Sequence, residues 1–236
     1  MSPNEARAGR PSVRTRIKIC GITRHEDADA AVAHGADALG FILWKKSARY
    51  VEPARMAEIA RALPALVSVV AVFVNPTERE VEDALAAWPA ATLQFHGEEP
   101  AAFCARSGRP WMKAARAREG LDLVEFLSPY QGASAWLIDA FHELYGGSGE
   151  RFDWGLVPDR LARPMILSGG LAAGNVGEAI EHLHPYAVDV STGVEIDKGI
   201  KDERKIAAFI AAVREADRLH GRHMDEERTG GSRRRR

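Results

Sequence analysis

Eight times between residues 16 and 219 a short apolar run gives way to a longer stretch of helical periodicity, and few folds accommodate that rhythm. The apolar runs are residues 17–20, 38–43, 68–74, 92–95, 111–114, 135–139, 165–168 and 187–190. Most are continuous, without polar–apolar alternation, as expected of parallel strands covered on both faces. Helical segments follow each in turn at 26–34, 53–63, 77–87, 100–106, 120–127, 154–161, 175–183 and 203–219. Eight such units of about 25 residues predict a single α/β domain, a closed (β/α)8 TIM barrel over residues 16–220. An open doubly wound sheet is the alternative. It calls for a glycine-rich dinucleotide turn after the first strand, where this chain has Gly21-Ile22-Thr23.

Local signals support several helix ends. Thr23 with Glu26 reads as a capping box, Pro53 and Pro100 suit a first helical turn, and Gly35 and Gly108 suit helix ends. Residues 1–15 and 221–236 read as unstructured tails, the second running through Gly230, Gly231 and Ser232 into Arg233 to Arg236. With 32 basic against 33 acidic residues the net charge is -1, which gives no electrostatic case for nucleic acid or a membrane surface. No apolar run reaches the roughly 18 residues of a membrane span, and the first residues have no apolar stretch of the signal type. The two cysteines, Cys20 and Cys104, make neither a disulfide framework nor a paired zinc spacing. A reduced, cytoplasmic setting is expected.

Barrel chemistry belongs to the loops after the strands' C-terminal ends. In order these carry Cys20; Lys45, Lys46 and Arg49; Asn75; His96; Arg116; Asp139; Ser168-Gly169-Gly170; and Ser191-Thr192-Gly193. The last two loops fall where barrels commonly hold a phosphate. Their small residues let backbone N–H groups face an anion, with a helix starting at Asn175 behind them. A cysteine closing an apolar strand is often inert. Ahead of a capped helix N-terminus, Cys20 is instead placed for a thiol pKa below about 8.5 and a role as base or nucleophile. Asp139, ending an apolar run, suits a general acid kept protonated by desolvation, and equally a residue capping a loop or paired with Arg116. Arg49 can clamp a carboxylate, with Lys45 and Lys46 adding positive potential. His96 is either catalytic or a hydrogen-bonding wall residue, Lys113 is a Schiff-base candidate if burial lowers its pKa, and Cys104 sits in a helix interior.

Nine segments in register resemble the phosphoribosylanthranilate isomerase family of tryptophan biosynthesis. They are Lys18-Ile19-Cys20-Gly21-Ile22-Thr23, Gly35 to Phe41, Ser47 to Val51, Val72 to Asn75, Gln94 to Glu99, Leu137-Ile138-Asp139, Gly146 to Gly149 leading to Phe152-Asp153-Trp154, Leu167 to Leu171, and Val188 to Ser191 followed by Gly193-Val194-Glu195. The resemblance implies an Amadori rearrangement of N-(5-phosphoribosyl)anthranilate to 1-(2-carboxyphenylamino)-1-deoxyribulose 5-phosphate, with neither cofactor nor metal. It makes Cys20 the general base, Asp139 the general acid and Arg49 the holder of the anthranilate carboxylate, and sends the phosphate to the backbone around Gly169, Gly170, Ser191, Thr192 and Gly193. His96 joins the substrate-binding set. The expected partner is the small-molecule substrate alone, on a monomer or homodimer. This chain has Ala140 where the family more often has Thr, Lys45 where it has Pro, and Thr192 where Ser is common. The histidine-pathway aminoaldose isomerase resembles a two-aspartate system with Asp in place of Cys20, and indole-glycerol-phosphate synthase looks lysine-dependent. A barrel that binds a sugar phosphate without turning it over is the non-enzymatic alternative.

Overall fold

A computed structural model describes residues 14–139, 154–158 and 161–230 of the chain. Eight parallel strands close into a ring in chain order: β1 (Arg16–Cys20), β2 (Ala38–Ile42), β3 (Ser68–Phe73), β4 (Thr92–Phe95), β5 (Trp111–Arg116), β6 (Ala135–Asp139), β7 (Met165–Ser168) and β8 (Ala187–Val190). The ring shuts where Arg16 pairs with Ala187 and Ile19 with Val190. Helices α1 (His25–His34), α2 (Pro53–Arg61), α3 (Glu78–Ala87), α4 (Ala101–Ala105), α5 (Leu123–Leu127), α6 (Val176–Leu183) and α7 (Glu203–Gly230) follow seven of the strands. After β6 the described helical element is a single 3-10 turn, Trp154–Leu156, in place of the helix expected over 154–161.

The apolar runs resolve into two faces, because successive strand residues point to opposite sides. Cys20, Val70, Val72, Met112, Ala114, Ala135, Leu137, Ile166 and Ala187 pack together inside the ring. The residues that alternate with them, among them Ile19, Leu39, Phe41, Phe73, Phe95, Trp136, Leu167 and Val188, pack against Met56, Ile59, Ile206, Phe209 and Val213 of the surrounding helices. Each fully buried side chain of this outer layer contributes about 1.5–3 kcal/mol relative to exposure.

Several local expectations need correction. Thr23 does not cap α1: its hydroxyl donates to the Gly199 carbonyl at 2.6 Å, and the N-cap position falls on Arg24, which makes no side-chain cap. A capping box forms instead at Thr77 and Glu80 of α3. Pro100 is the N-cap of α4, one place before its first turn. Gly35 does end α1, with φ of 103°, and there the Arg214 guanidinium donates to the His34 carbonyl at 2.7 Å, fastening α1 to α7. Thr15, read as part of a loose tail, is buried, and its N–H and hydroxyl donate to Asp217 at 2.8 and 2.6 Å. Helix α7 carries the backbone on to Gly230, through most of a segment read as tail; 220–229 has no proline, and Arg222, Met224, Glu226, Glu227 and Arg228 are good helix formers. Residues 1–13 and 231–236, the Gly146 to Gly149 and Phe152-Asp153 segments, and Ala140 lie outside the described residues. A hairpin of β9 (Glu195–Asp197) and β10 (Ile200–Lys201) follows β8, and nothing in its polar sequence announced it.

Candidate active site

Period-two geometry decides which side chains reach the mouth of the ring. Counting on from the interior residues, Cys20, His96, Asp139, Ser168 and Ser191 all fall on the inward face at the C-terminal ends of β1, β4, β6, β7 and β8. Asp139 faces His96, whose Nε2 lies 3.1 Å from the carboxylate Oδ2. Behind them the Gln94 amide nitrogen is 3.4 Å from His96 Nδ1. Arg116, the strand-register neighbour of Asp139, is exposed.

Cys20 is 7% exposed and stands over a buried ion pair in which Lys18 Nζ binds both Asp189 oxygens, at 2.8 and 2.9 Å. A Cβ on Gly40 would lie 2.7 Å from the sulfur and 3.0 Å from Lys18 Nζ, so only glycine on β2 leaves room for this group. The thiol pKa was expected below its ordinary value, and the structure puts it above. Burial disfavours the thiolate and outweighs the pull of the Lys18 ammonium, while Asp189 pushes the same way as burial. The helix that was to lower the value begins at His25, five residues further on, and is uncapped by Thr23.

Arg49, from the loop after β2, reaches Glu195 with two parallel bonds, Nε at 2.7 Å and Nη2 at 2.6 Å. Glu195 also takes Lys201 Nζ at 2.8 Å, and these two cations overcome burial to hold its carboxyl below the usual range. Lys45 and Lys46 are exposed and line a cavity of 380 Å³ with Trp44, Asn75 and Glu80 beside the loops after β2 and β3; Cys20, His96 and Asp139 do not line it. Asn75, at φ of 48°, braces loops: its N–H donates to Glu99 at 2.8 Å and its Oδ1 accepts from Glu98 N–H at 2.7 Å.

Gly169 and Gly170 adopt φ of 91° and 63°, in the left-handed region that favours glycine. The Asn175 side chain pins that loop, accepting from Ala172 N–H at 2.8 Å and donating to the Gly170 carbonyl at 3.0 Å. Ser191 precedes a 3-10 turn, Thr192–Val194, and a Cβ on Gly193 would sit 2.0 Å from the Leu171 carbonyl oxygen. The loops after β7 and β8 therefore touch through bare backbone.

One candidate leaves the site, and Cys104 lies in a helix interior as expected. Lys113 is one residue out of phase with Met112 and Ala114, so it points away from the ring's interior, fully buried, and bonds the Gly97 carbonyl at 2.6 Å and Glu99 at 2.7 Å. A paired ammonium in the outer layer has no access to a substrate carbonyl, and the Schiff-base expectation fails. Cys104 is buried in α4, its thiol pushed to about 11 by desolvation. Lys18, Gln94, Asp189 and Glu195 stand in the segments of resemblance without a role, and Lys201 lies outside them. Lys18 and Asp189 did carry a signal, as charges interrupting the apolar runs of β1 and β8 two residues from Cys20 and Ser191. Among the described residues no group of three or more His, Cys, Asp or Glu is placed to hold a metal ion.

Fold and mouth together define a (β/α)8-barrel protein with ionisable groups across the ring from one another and two glycine-bearing loops beside them. The family described as N-(5'phosphoribosyl)anthranilate (PRA) isomerase matches residues 17–212, and the chain belongs to it. The N-(5'-phosphoribosyl)anthranilate isomerase of Dechloromonas aromatica (strain RCB) is 55% identical over 205 residues, covering 87% of this chain and 99% of that protein. That of Nitrosomonas europaea (strain ATCC 19718) is 51% identical, covering 87% and 98%. Among solved structures, phosphoribosyl anthranilate isomerase from Thermotoga maritima superposes with a TM-score of 0.78 at 40% identity, covering 85% of this chain and 98% of that one. A phosphoribosyl anthranilate isomerase in complex with reduced 1-(o-carboxyphenylamino)-1-deoxyribulose 5-phosphate gives 0.75 at 38% identity, over 85% and 98%.

Proposed function

We propose that Asp139 is the general acid and Cys20 the general base of the isomerisation that this family performs. The chain converts N-(5-phosphoribosyl)anthranilate to 1-(2-carboxyphenylamino)-1-deoxyribulose 5-phosphate in tryptophan biosynthesis. In this reading Asp139 protonates the furanose ring oxygen, the C1–O bond breaks, and the anilino nitrogen lone pair forms the C=N bond of a Schiff base. The Cys20 thiolate then removes the C2 proton, and those electrons make the C1=C2 bond of an enolamine as the C=N electrons return to nitrogen. Proton transfer from the C2 hydroxyl to C1 gives the ketone, so no atom is gained or lost. The observation that supports the pair is their parity: both sit on the inward face at the mouth, on strands three places apart around the ring. His96, bonded to Asp139, orients the acid.

The phosphate belongs, on this proposal, to the backbone at Gly169, Gly170 and Ser191 to Gly193, and the anthranilate carboxylate to Arg49. The substrate is thus the partner; a monomer or homodimer and a cytoplasmic location complete the reading. Incubating the purified protein with phosphoribosylanthranilate should remove its fluorescence, and the gene should rescue a tryptophan auxotroph lacking this isomerase. Turnover of the histidine-pathway aminoaldose alone would refute the assignment of the site.

Gly193→Ala forces the loops after β7 and β8 apart, since its methyl would meet the Leu171 carbonyl. The expected result is a KM raised about tenfold or more with inhibition by inorganic phosphate weakened in parallel, the loss of one or two charge-assisted bonds. An unchanged phosphate inhibition constant would remove that loop from the binding site.

The pH dependence follows from the raised thiol. Lys18, Asp189, Lys201 and Arg49 are the charges acting on or acted on by Cys20, and burial wins over their sum. A base must be unprotonated to act, and a thiol is unprotonated only above its pKa. Thiolate formation at Cys20, followed by its ultraviolet absorbance against Cys20→Ser, should therefore still be incomplete at the ordinary thiol value of 9.0, whereas kcat/KM also carries the opposite requirement that Asp139 be protonated. Thiolate absorbance already complete at neutral pH would contradict the raised thiol.

A further inference from the structure

The guanidinium of Arg49 is not loose in its loop. Glu195 engages one edge of it, Nε and Nη2, with bonds of 2.7 and 2.6 Å, and that carboxylate is itself buried. Nothing in the proposed proton transfers requires a charged group at Glu195, yet it takes further bonds from Lys201 Nζ at 2.8 Å and the Gly199 N–H at 3.3 Å. A planar fork held along one edge has its plane and direction fixed, and still has the N–H groups of Nη1 and the outer hydrogen of Nη2 to offer. Arg49 also lies across the residue that follows Cys20: a Cβ on Gly21 would come 2.6 Å from Arg49 Cδ and 3.1 Å from Ser191 Oγ. The other arm of the cluster reaches the phosphate side, because Lys201 Nζ donates to both the carbonyl and the hydroxyl of Ser191 at 3.3 Å.

We infer that Glu195 is a positioning residue that sets the enzyme's selectivity for a carboxylated aryl group, by aiming the remaining N–H donors of Arg49 at the ring carboxylate. Through Lys201 it also ties that clamp to the loop after β8, so that the two anionic ends of one ligand are gripped by a single buried cluster on the β9–β10 hairpin. The inference rests on Arg49 as the carboxylate holder, and its test must separate the two.

Two stable ligands do so: the reduced amino-ribitol 5-phosphate analogues of the product, one with and one without the ortho carboxylate, used as competitive inhibitors. Arg49→Met is the reference. It should abolish the preference for the carboxylated analogue, and if it does not, the reading of Arg49 itself fails. Glu195→Gln keeps the shape and removes the charge. It should weaken the carboxylated analogue about tenfold while the analogue without the carboxylate stays within about threefold, with the substrate effect falling on KM more than kcat. Equal weakening of both analogues, or of neither, in the face of a responsive Arg49→Met, overturns the proposal. Should Glu195→Gln not fold, Glu195→Asp retains the charge and withdraws the carboxylate by one methylene. It should give a smaller loss of the same selectivity, and a wild-type preference in that variant would equally overturn it.

Discussion

Asp139→Asn should lower kcat at least ~100-fold, the lower scale for losing a general acid, while the reduced product analogue binds as tightly as to the wild type. The carboxamide has the carboxyl's shape and can still meet His96 Nε2, which now lies 3.1 Å from Oδ2. What it cannot do is deliver a proton to the ring oxygen. Loss of rate with retained affinity is therefore the mark of a donor, and loss of both the mark of a wall residue. The assay is steady-state turnover followed by anthranilate fluorescence, with inhibition by the analogue measured alongside. Turnover within a few-fold of wild type would remove Asp139 from the chemistry.

Lys113→Met should destabilise the fold by about 3–5 kcal/mol, as removal of one partner from a buried ion pair does. Glu99 and Lys113 have side chains 3% and 0% exposed, and the carboxylate would keep only its backbone donors, Asn75 N–H at 2.8 Å and Gly97 N–H at 3.1 Å. A lost cation thus strands a charge in hydrocarbon. The urea midpoint should fall with the slope unchanged, and Glu99→Gln added to Lys113→Met should recover part of the loss. A shift below about 1 kcal/mol would mean that water or a rearranged side chain reaches Glu99. Because Gly97 and the loop after β4 hang on the same pair, the variant should also turn over more slowly, in proportion to the loosening of His96.

What could be read from residues alone was what burial on two faces writes into a strand. Thr92–Phe95, Ala135–Asp139, Met165–Ser168 and Ala187–Val190 came out to the residue, each a short apolar run with a turn-forming or polar residue within three places of both ends. The mouth positions followed from strand ends and a resemblance. What the sequence hid was long-range: a continuous apolar run does not say which parity faces inward, so Lys113 and Cys20 looked alike, although one stands in the outer layer and the other inside the ring. Thr23 had the spacing of a cap, but the helix begins one residue later with Arg24 as its N-cap, and the Thr23 hydroxyl donates to Gly199, far along the chain. The raised Cys20 thiol could not be foreseen, because it depends on how deeply the sulfur is sunk between β1, β2 and β8. Glu195 and Lys201 lie in a hairpin whose two short strands have no apolar pattern, and only the bonds that Glu195 takes from both Arg49 and Lys201 reveal them.

The seam where Arg16 to Ile19 meets Ala187 to Val190 sets the order in which such a chain can become whole. Its buried lock, Lys18 to Asp189, joins residues 171 positions apart. A growing polypeptide leaving the ribosome must therefore carry its opening strand with one edge bare until nearly every other unit has been made. Partial rings cannot satisfy that edge, so the last quarter of synthesis completes the assembly and a truncated product has an unpaired border open to self-association.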